Sequence, residues 1–128
     1  MSKFREYLES LHHIISQAEV TDSEQSSVDP VRAIEQTIYW LHEVRDARKK
    51  NIFIGNGGSA AIASHMAIDY SKNGRLPSLA FNDGAALTCM GNDLGYENVF
   101  AEQILLHARE GDLLFAISSS GASPNITA

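Results

Sequence analysis

The sequence predicts an α/β domain built on a parallel sheet, with two helices ahead of it, and three observations carry that expectation. The apolar runs Ile52-Phe53-Ile54 and Leu113-Leu114-Phe115-Ala116-Ile117 are continuous rather than alternating, as strands buried on both faces must be. The segments joining the strands repeat their apolar residues at helical spacing. Each of those runs leads into a loop of small residues, Gly55-Asn56-Gly57-Gly58-Ser59 after the first and Ser118-Ser119-Ser120-Gly121-Ala122-Ser123 after the last. Right-handed crossovers put such loops on one rim, the carboxyl ends of the strands, where parallel sheets bind ligands.

Taken in order, Phe4, Tyr7, Leu8, Leu11, Ile14, Ile15 and Ala18 form one stripe of an amphipathic helix. His12 and His13 are neighbours that point in different directions, a poor ligand pair. Thr21 to Val28 is polar and reads as a loop. Asp29-Pro30 supplies an N-cap and a first-turn proline, and Val31, Ile34, Ile38, Leu41 and Val44 carry a second helix to about Lys49. Two such helices hold more apolar surface than one small sheet layer needs, so self-association is expected.

The stretch from Asn51 to Tyr70 is the centre of the chain: strand, tight glycine loop, then an alanine-rich helix running from Ser59 to about Lys72 and stopped by Asn73-Gly74. Pro77 to Phe81 reads as a second strand, with Asn82-Asp83-Gly84 as its exit turn. A short helix is expected over Ala85 to Met90, a glycine-bounded polar loop over Gly91 to Tyr96, and a helix over Glu97 to His107. The third strand is Leu113 to Ile117, and Pro124 suits a helix start after the serines.

Composition narrows the function. With 128 residues, 44% of them hydrophobic, the chain has material for one domain with a real core. Its net charge of -6 argues against a nucleic-acid surface, and the one basic cluster, Arg48-Lys49-Lys50, falls where cations complement a helix C-terminus. Cys89 is the single cysteine, so no intrachain disulfide can form and a thiolate metal site is disfavoured. No apolar run approaches a signal h-region or membrane span, and a soluble, cytoplasmic protein without membrane partners is expected.

The two loops suggest chemistry. Glycines let the backbone approach a ligand closely, and the free N–H groups at a helix N-terminus favour an anion. Serines at the end of a buried strand offer neutral hydroxyl and backbone donors to the same kind of group. Either loop alone also reads as a turn or a solvated segment; two on one rim are harder to dismiss than one.

With both loops in hand, the chain resembles the sugar isomerase (SIS) domain family, and within it the phosphoheptose isomerases. The matching pieces are Gly55-Asn56-Gly57-Gly58-Ser59-Ala60-Ala61, His65, Gly91-Asn92-Asp93-Leu94-Gly95-Tyr96-Glu97-Asn98 and Ile117-Ser118-Ser119-Ser120-Gly121-Ala122-Ser123-Pro124-Asn125. The resemblance implies a flavodoxin-like, three-layer α/β/α sandwich with a parallel sheet, assembled as a homotetramer with active sites between subunits. It implies that Ser118, Ser119, Ser120 and Ser123 grip a sugar phosphate, that Asn56, Gly57, Gly58 and Ser59 line the sugar end, and that Asn92 and Asp93 contact sugar hydroxyls. The implied reaction interconverts sedoheptulose 7-phosphate and D-glycero-D-manno-heptose 7-phosphate through an enediol.

His65 and Asp69 take the place of a histidine and a glutamate that, in the family, bind Zn2+ while the glutamate also acts as acid/base. At i and i+4 they project from one helix face and can meet one metal or substrate; on spacing alone they equally describe an exposed helical pair. Asp69 is one methylene shorter than the family residue, and a base must reach hydrogen-bond distance of its proton. Family chains continue past the serine loop to a glutamine and a histidine that complete the metal site. The expectation is therefore the N-terminal portion of a single SIS domain, with a helical segment over 1–50 and an incomplete α/β core over 51–128. The competing expectations are a sugar-phosphate-binding module without chemistry and a tetrameric interaction protein, against which the carboxylate at Asp69 counts.

Overall fold

The structure, a computed structural model, describes residues 2–128. The chain divides into two compact units, Met1–Tyr39 and Trp40–Ala128.

In the first unit, helix α1 (Lys3–Ser16) is capped by Ser2, whose Oγ accepts from the Arg5 N–H at 3.4 Å. The expected apolar stripe is present, and it is open: α1 buries none of its residues, and Phe4 and Ile15 are 70% and 72% exposed. The polar segment that follows is ordered by Asp22, whose Oδ1 accepts the N–H groups of Glu24 and Ser26 at 2.9 Å. Helix α2 (Pro30–Asp46) starts where the Asp29-Pro30 signal places it, with the Arg32 N–H on Asp29 Oδ1 at 3.1 Å. It ends at Asp46, short of the expected Lys49. Arg48 adopts a left-handed φ of 54°, and the Lys49 N–H turns back to the Val44 carbonyl at 2.8 Å, which closes the helix.

The second unit continues with strand β1 (Asn51–Gly55), α3 (Gly58–Lys72), β2 (Ser78–Ala80) and α4 (Gly84–Leu94). A 3-10 turn (Tyr96–Asn98), α5 (Val99–His107), β3 (Leu113–Ile117) and α6 (Pro124–Thr127) complete it. The strands are parallel in the order β2-β1-β3, with Phe53 level with Ala80 on one side and Phe115 on the other. Because side chains alternate along a strand, β1 serves two cores. Ile52 and Ile54 face a cluster with Phe81, Val99 and Phe100, joined by Leu87 and Met90 of α4 and Ile104 of α5. Phe53 faces the other way onto Ala63 and Ala67 of α3, and its ring stacks on Phe115 at 4.8 Å between centroids. The two alanines let α3 lie close to the sheet. Burying a side chain the size of Phe100 contributes about 1.5–3 kcal/mol, so both faces stabilise the strand that carries the glycine loop. The architecture is the expected three-layer α/β/α arrangement.

One expected loop is helical. Residues 91–94 read as a glycine-bounded loop, but α4 runs through Gly91, Asn92 and Asp93 to Leu94. Asp83 caps its start, accepting from the Ala86 N–H at 2.9 Å, and Leu87 and Met90 hold its inner face to the core. Tertiary burial outweighs the low helix propensity of glycine and asparagine there. Gly95, with φ 88°, ends the helix and turns the chain into the 3-10 segment. No helix among the described residues is long and apolar enough to cross a membrane.

Candidate functional site

The glycine loop leaves the carboxyl end of the central strand. A Cβ on Gly55 would come within 2.7 Å of the Ser59 carbonyl carbon, so only glycine lets the first turn of α3 fold back so tightly over the strand end. Gly57 takes φ 53° to make that turn. The Asn56 carbonyl accepts from Ser59 N at 2.9 Å and Ala60 N at 3.3 Å. No side chain caps α3 at Gly57, and with Ser59, Ala60 and Ala61 bonded to the Asn56 and Gly57 carbonyls, the Gly57 and Gly58 N–H groups are the ones without an acceptor among the described residues.

The serine loop leaves β3, level with β1 in the same parallel sheet. Ser118, Ser120 and Ser123 bring their hydroxyls into a triangle: 118 to 123 at 3.2 Å, 118 to 120 and 120 to 123 at 3.4 Å. Ser118 Oγ and Ser120 Oγ also accept the Gly121 and Ala122 N–H groups at 3.1 and 3.2 Å. Those bonds orient the hydroxyls, and each O–H proton can still turn toward an acceptor. Ser119 is exposed beside them.

The loops meet directly. Asn56 Nδ2 donates to Asn125 Oδ1 at 2.8 Å, and Asn125 Nδ2 donates back to Asn56 Oδ1 at 2.9 Å. Tyr96 adds its hydroxyl to the same Asn56 oxygen at 3.1 Å. Asn125 is buried, 3% exposed, and neither it nor Tyr96 was singled out from the residues as part of a site. Their link to Asn56 spans 69 and 40 residues, a pairing no local pattern reveals.

The other expected site residues stand apart from this junction. His65 Nε2 lies 3.2 Å from Asp69 Oδ2 on the exposed side of α3, so the pair forms as expected. Asp69 Oδ1 is also held, by Asn73 Nδ2 at 3.3 Å. At 1.5 Å rise per residue, His65 and Asp69 sit about 10 and 16 Å along α3 from Gly58. Asn92 and Asp93 are exposed on α4 and bond each other, Nδ2 to Oδ1 at 2.7 Å; among the described residues neither bonds to the glycine or serine loop. The His65–Asp69 donors could hold a metal from one side, but among the described residues no cluster of three or more His, Cys, Asp or Glu side chains forms.

Comparison with known proteins identifies the family. The SIS domain profile matches residues 6–128. The chain is 39% identical over 127 residues to the phosphoheptose isomerase of Aneurinibacillus thermoaerophilus, covering 94% of this chain and 63% of that one. It superposes on phosphoheptose isomerase GmhA from Neisseria gonorrhoeae with TM-score 0.71 and 37% identity, over 76% of this chain and 53% of that one. For a phosphoheptose isomerase from Francisella tularensis the TM-score is 0.77 at 30% identity, over 98% and 66%. The chain thus spans between 53% and 66% of the length of these proteins. A profile match across nearly every residue, on a parallel α/β sheet whose glycine and serine loops meet at one rim, leads to one conclusion: the chain belongs to the SIS domain family.

Proposed function

We propose that the protein carrying this chain is a phosphosugar isomerase that converts sedoheptulose 7-phosphate to D-glycero-D-manno-heptose 7-phosphate. The observation that carries the reading is the junction of a glycine loop and a triangle of serine hydroxyls through Asn56 and Asn125, in a chain similar to phosphoheptose isomerases. Ser118, Ser119, Ser120 and Ser123 would hold the phosphate oxygens. Asn56, Gly57, Gly58 and Ser59 would line the sugar, with Asn92 and Asp93 on its hydroxyls. Asp69 would take the proton from C1 to give the enediol and return a proton to C2, while the hydroxyl proton moves from O1 to O2, so that C1 becomes the aldehyde and the C2 carbonyl becomes a hydroxyl. His65 would steady Asp69 and the sugar oxygens. Zn2+ would take His65 Nε2 and an Asp69 oxygen, with its other ligands from outside these residues, and would supply Lewis-acid polarisation of the sugar oxygens when bound.

The spacing along α3 gives this reading a further requirement. A loop-bound sugar phosphate and a base about 16 Å along the helix are hard to bring together within one chain. A site completed by a second copy meets it, and the open stripe of α1 supplies apolar surface for a homotetramer. A single free cysteine, Cys89, suits a reducing cytoplasm. The second reading, a binding module without chemistry, is favoured by one observation: the shorter acid Asp69 is already engaged by His65 and Asn73.

The test is proton exchange. The intact protein in D2O with sedoheptulose 7-phosphate should place deuterium at C2 of the aldose, read by NMR, and Asp69→Asn should lower kcat by about 10²–10⁴. A ligand-induced rise in Tm with no label incorporated would establish the binding module instead. No rise and no label would refute both.

A further inference from the structure

The side chain of Asn56 is nearly used up by the protein itself. An amide oxygen has two lone pairs, and Asn56 Oδ1 spends both, on Asn125 Nδ2 at 2.9 Å and Tyr96 Oη at 3.1 Å. One of its two N–H groups goes to Asn125 Oδ1 at 2.8 Å. A single N–H remains for a ligand, and its direction is set by three bonds. Meanwhile the Asn56 carbonyl receives the Ser59 and Ala60 N–H groups that open α3. The residue that begins the glycine loop is therefore fixed by two residues distant in sequence.

Asn125 makes this connection from a buried position one residue after Pro124 and two after Ser123, a corner of the hydroxyl triangle. We infer that Asn125, seconded by Tyr96, is a positioning residue: it locks the glycine loop to the serine loop, so that filling one loop with phosphate organises the other for the sugar. The inference deepens the proposed function, because it assigns the locked rim to a phosphorylated sugar. Its mechanical part, the lock, stands on these hydrogen bonds without that assignment.

The reciprocal pair is specific to two amides. Asn125→Asp keeps the shape and an acceptor for Asn56 Nδ2 but sets a carboxylate oxygen against Asn56 Oδ1. Asn125→Ala removes both bonds and leaves a polar group of Asn56 unpaired. Tyr96→Phe removes one hydroxyl from a half-exposed ring and is the mildest change.

Hydrogen–deuterium exchange in the intact protein tests the lock without reference to any ligand. Asn125→Ala should speed exchange at the Ser59 and Ala60 amides by about tenfold or more, Asn125→Asp by nearly as much, and Tyr96→Phe by a few-fold. The β3 amides should stay at their wild-type rates. Unchanged exchange at Ser59 and Ala60 in a variant that melts like wild type overturns the inference, and so does equal loosening of β3 and the glycine loop. If Asn125→Ala fails to fold, Tyr96→Phe and Asn125→Asp decide. Calorimetry then tests the coupling: Asn125→Ala should weaken sedoheptulose 7-phosphate binding about tenfold and inorganic phosphate binding less than threefold, and Asn56→Ala should abolish the difference. Equal weakening of both probes overturns the coupling. Wild-type protein that shows the lock but binds no sugar phosphate refutes the isomerase reading and leaves the lock standing.

Discussion

The two rims of the sheet solve opposite electrostatic problems. At the carboxyl ends of β1 and β3, where the Gly57 and Gly58 N–H groups have no acceptor among the described residues, the side chains that join the two loops are uncharged hydroxyls and amides. At the amino ends, where α2 and α5 present their last carbonyls, the protein answers with cations. Arg109 Nη1 donates to the Leu106 and Ala108 carbonyls at 3.1 and 2.8 Å, and Arg48, Lys49 and Lys50 follow α2. They line a cavity of about 340 Å³ together with Pro77 and Asp112. Asp112 is the hub of this rim: it pairs with Lys50 Nζ and accepts the Lys50 N–H at 2.9 Å and the Arg109 N–H at 2.7 Å. Cations gather where α2 and α5 end, and neutral groups make the junction of the glycine and serine loops. On the proposed reading, the phosphate would be held without lysine or arginine.

The comparison can be broken at Asp112. Its side chain is 5% exposed, and removing it leaves Lys50 and two backbone N–H groups without their acceptor. Asp112→Ala should cost about 2–4 kcal/mol in denaturant unfolding, while leaving sugar-phosphate affinity at the far rim within about twofold. A variant that loses affinity as much as stability would show the rims to be coupled.

Acid offers a milder test of the same asymmetry. Burial pushes the Asp112 carboxyl up, but the Lys50 ammonium, the N–H groups of Lys50 and Arg109 and the Lys50 charge outweigh it, so its pKa lies below the ordinary value. The folded state therefore holds this proton more weakly than the unfolded chain. The contribution is fully present above about pH 4 and is lost as pH falls through the depressed folded pKa. Urea unfolding below pH 4 should show a falling stability that flattens in Asp112→Asn.

The smallest effect belongs to Arg48. Its left-handed φ of 54° is the conformation in which glycine commonly closes a helix, so Arg48→Gly should raise stability by up to about 1 kcal/mol, read as a shift in Tm. A loss instead would mean that the guanidinium contributes more at this rim than its backbone strain costs.

These rims were unequally legible in the sequence. Strands β1 and β3 and the loops they carry follow from continuous apolar runs ending in glycines or serines, a local signal. The basic cluster was visible, but Lys50 is held by Asp112, 62 residues away, and no spacing rule pairs them. Asn125 and Tyr96 stand in the motif pieces that carry the family resemblance, but their bonds to Asn56 were equally hidden, since they cross 69 and 40 residues. Gly91-Asn92-Asp93 misled in the other direction: turn-forming residues were drawn into α4 by Leu87 and Met90 on the core.

On the proposed reading, the uncharged triangle of Ser118, Ser120 and Ser123 would also shape the kinetics of capture. A dianion approaching this chain meets a net charge of -6 and no cation among the hydroxyls that would receive it, so diffusion gains nothing from electrostatic steering. Discrimination must then reside in how long a phosphate stays once its oxygens are gripped, and differences between ligands should appear in their rates of escape rather than arrival.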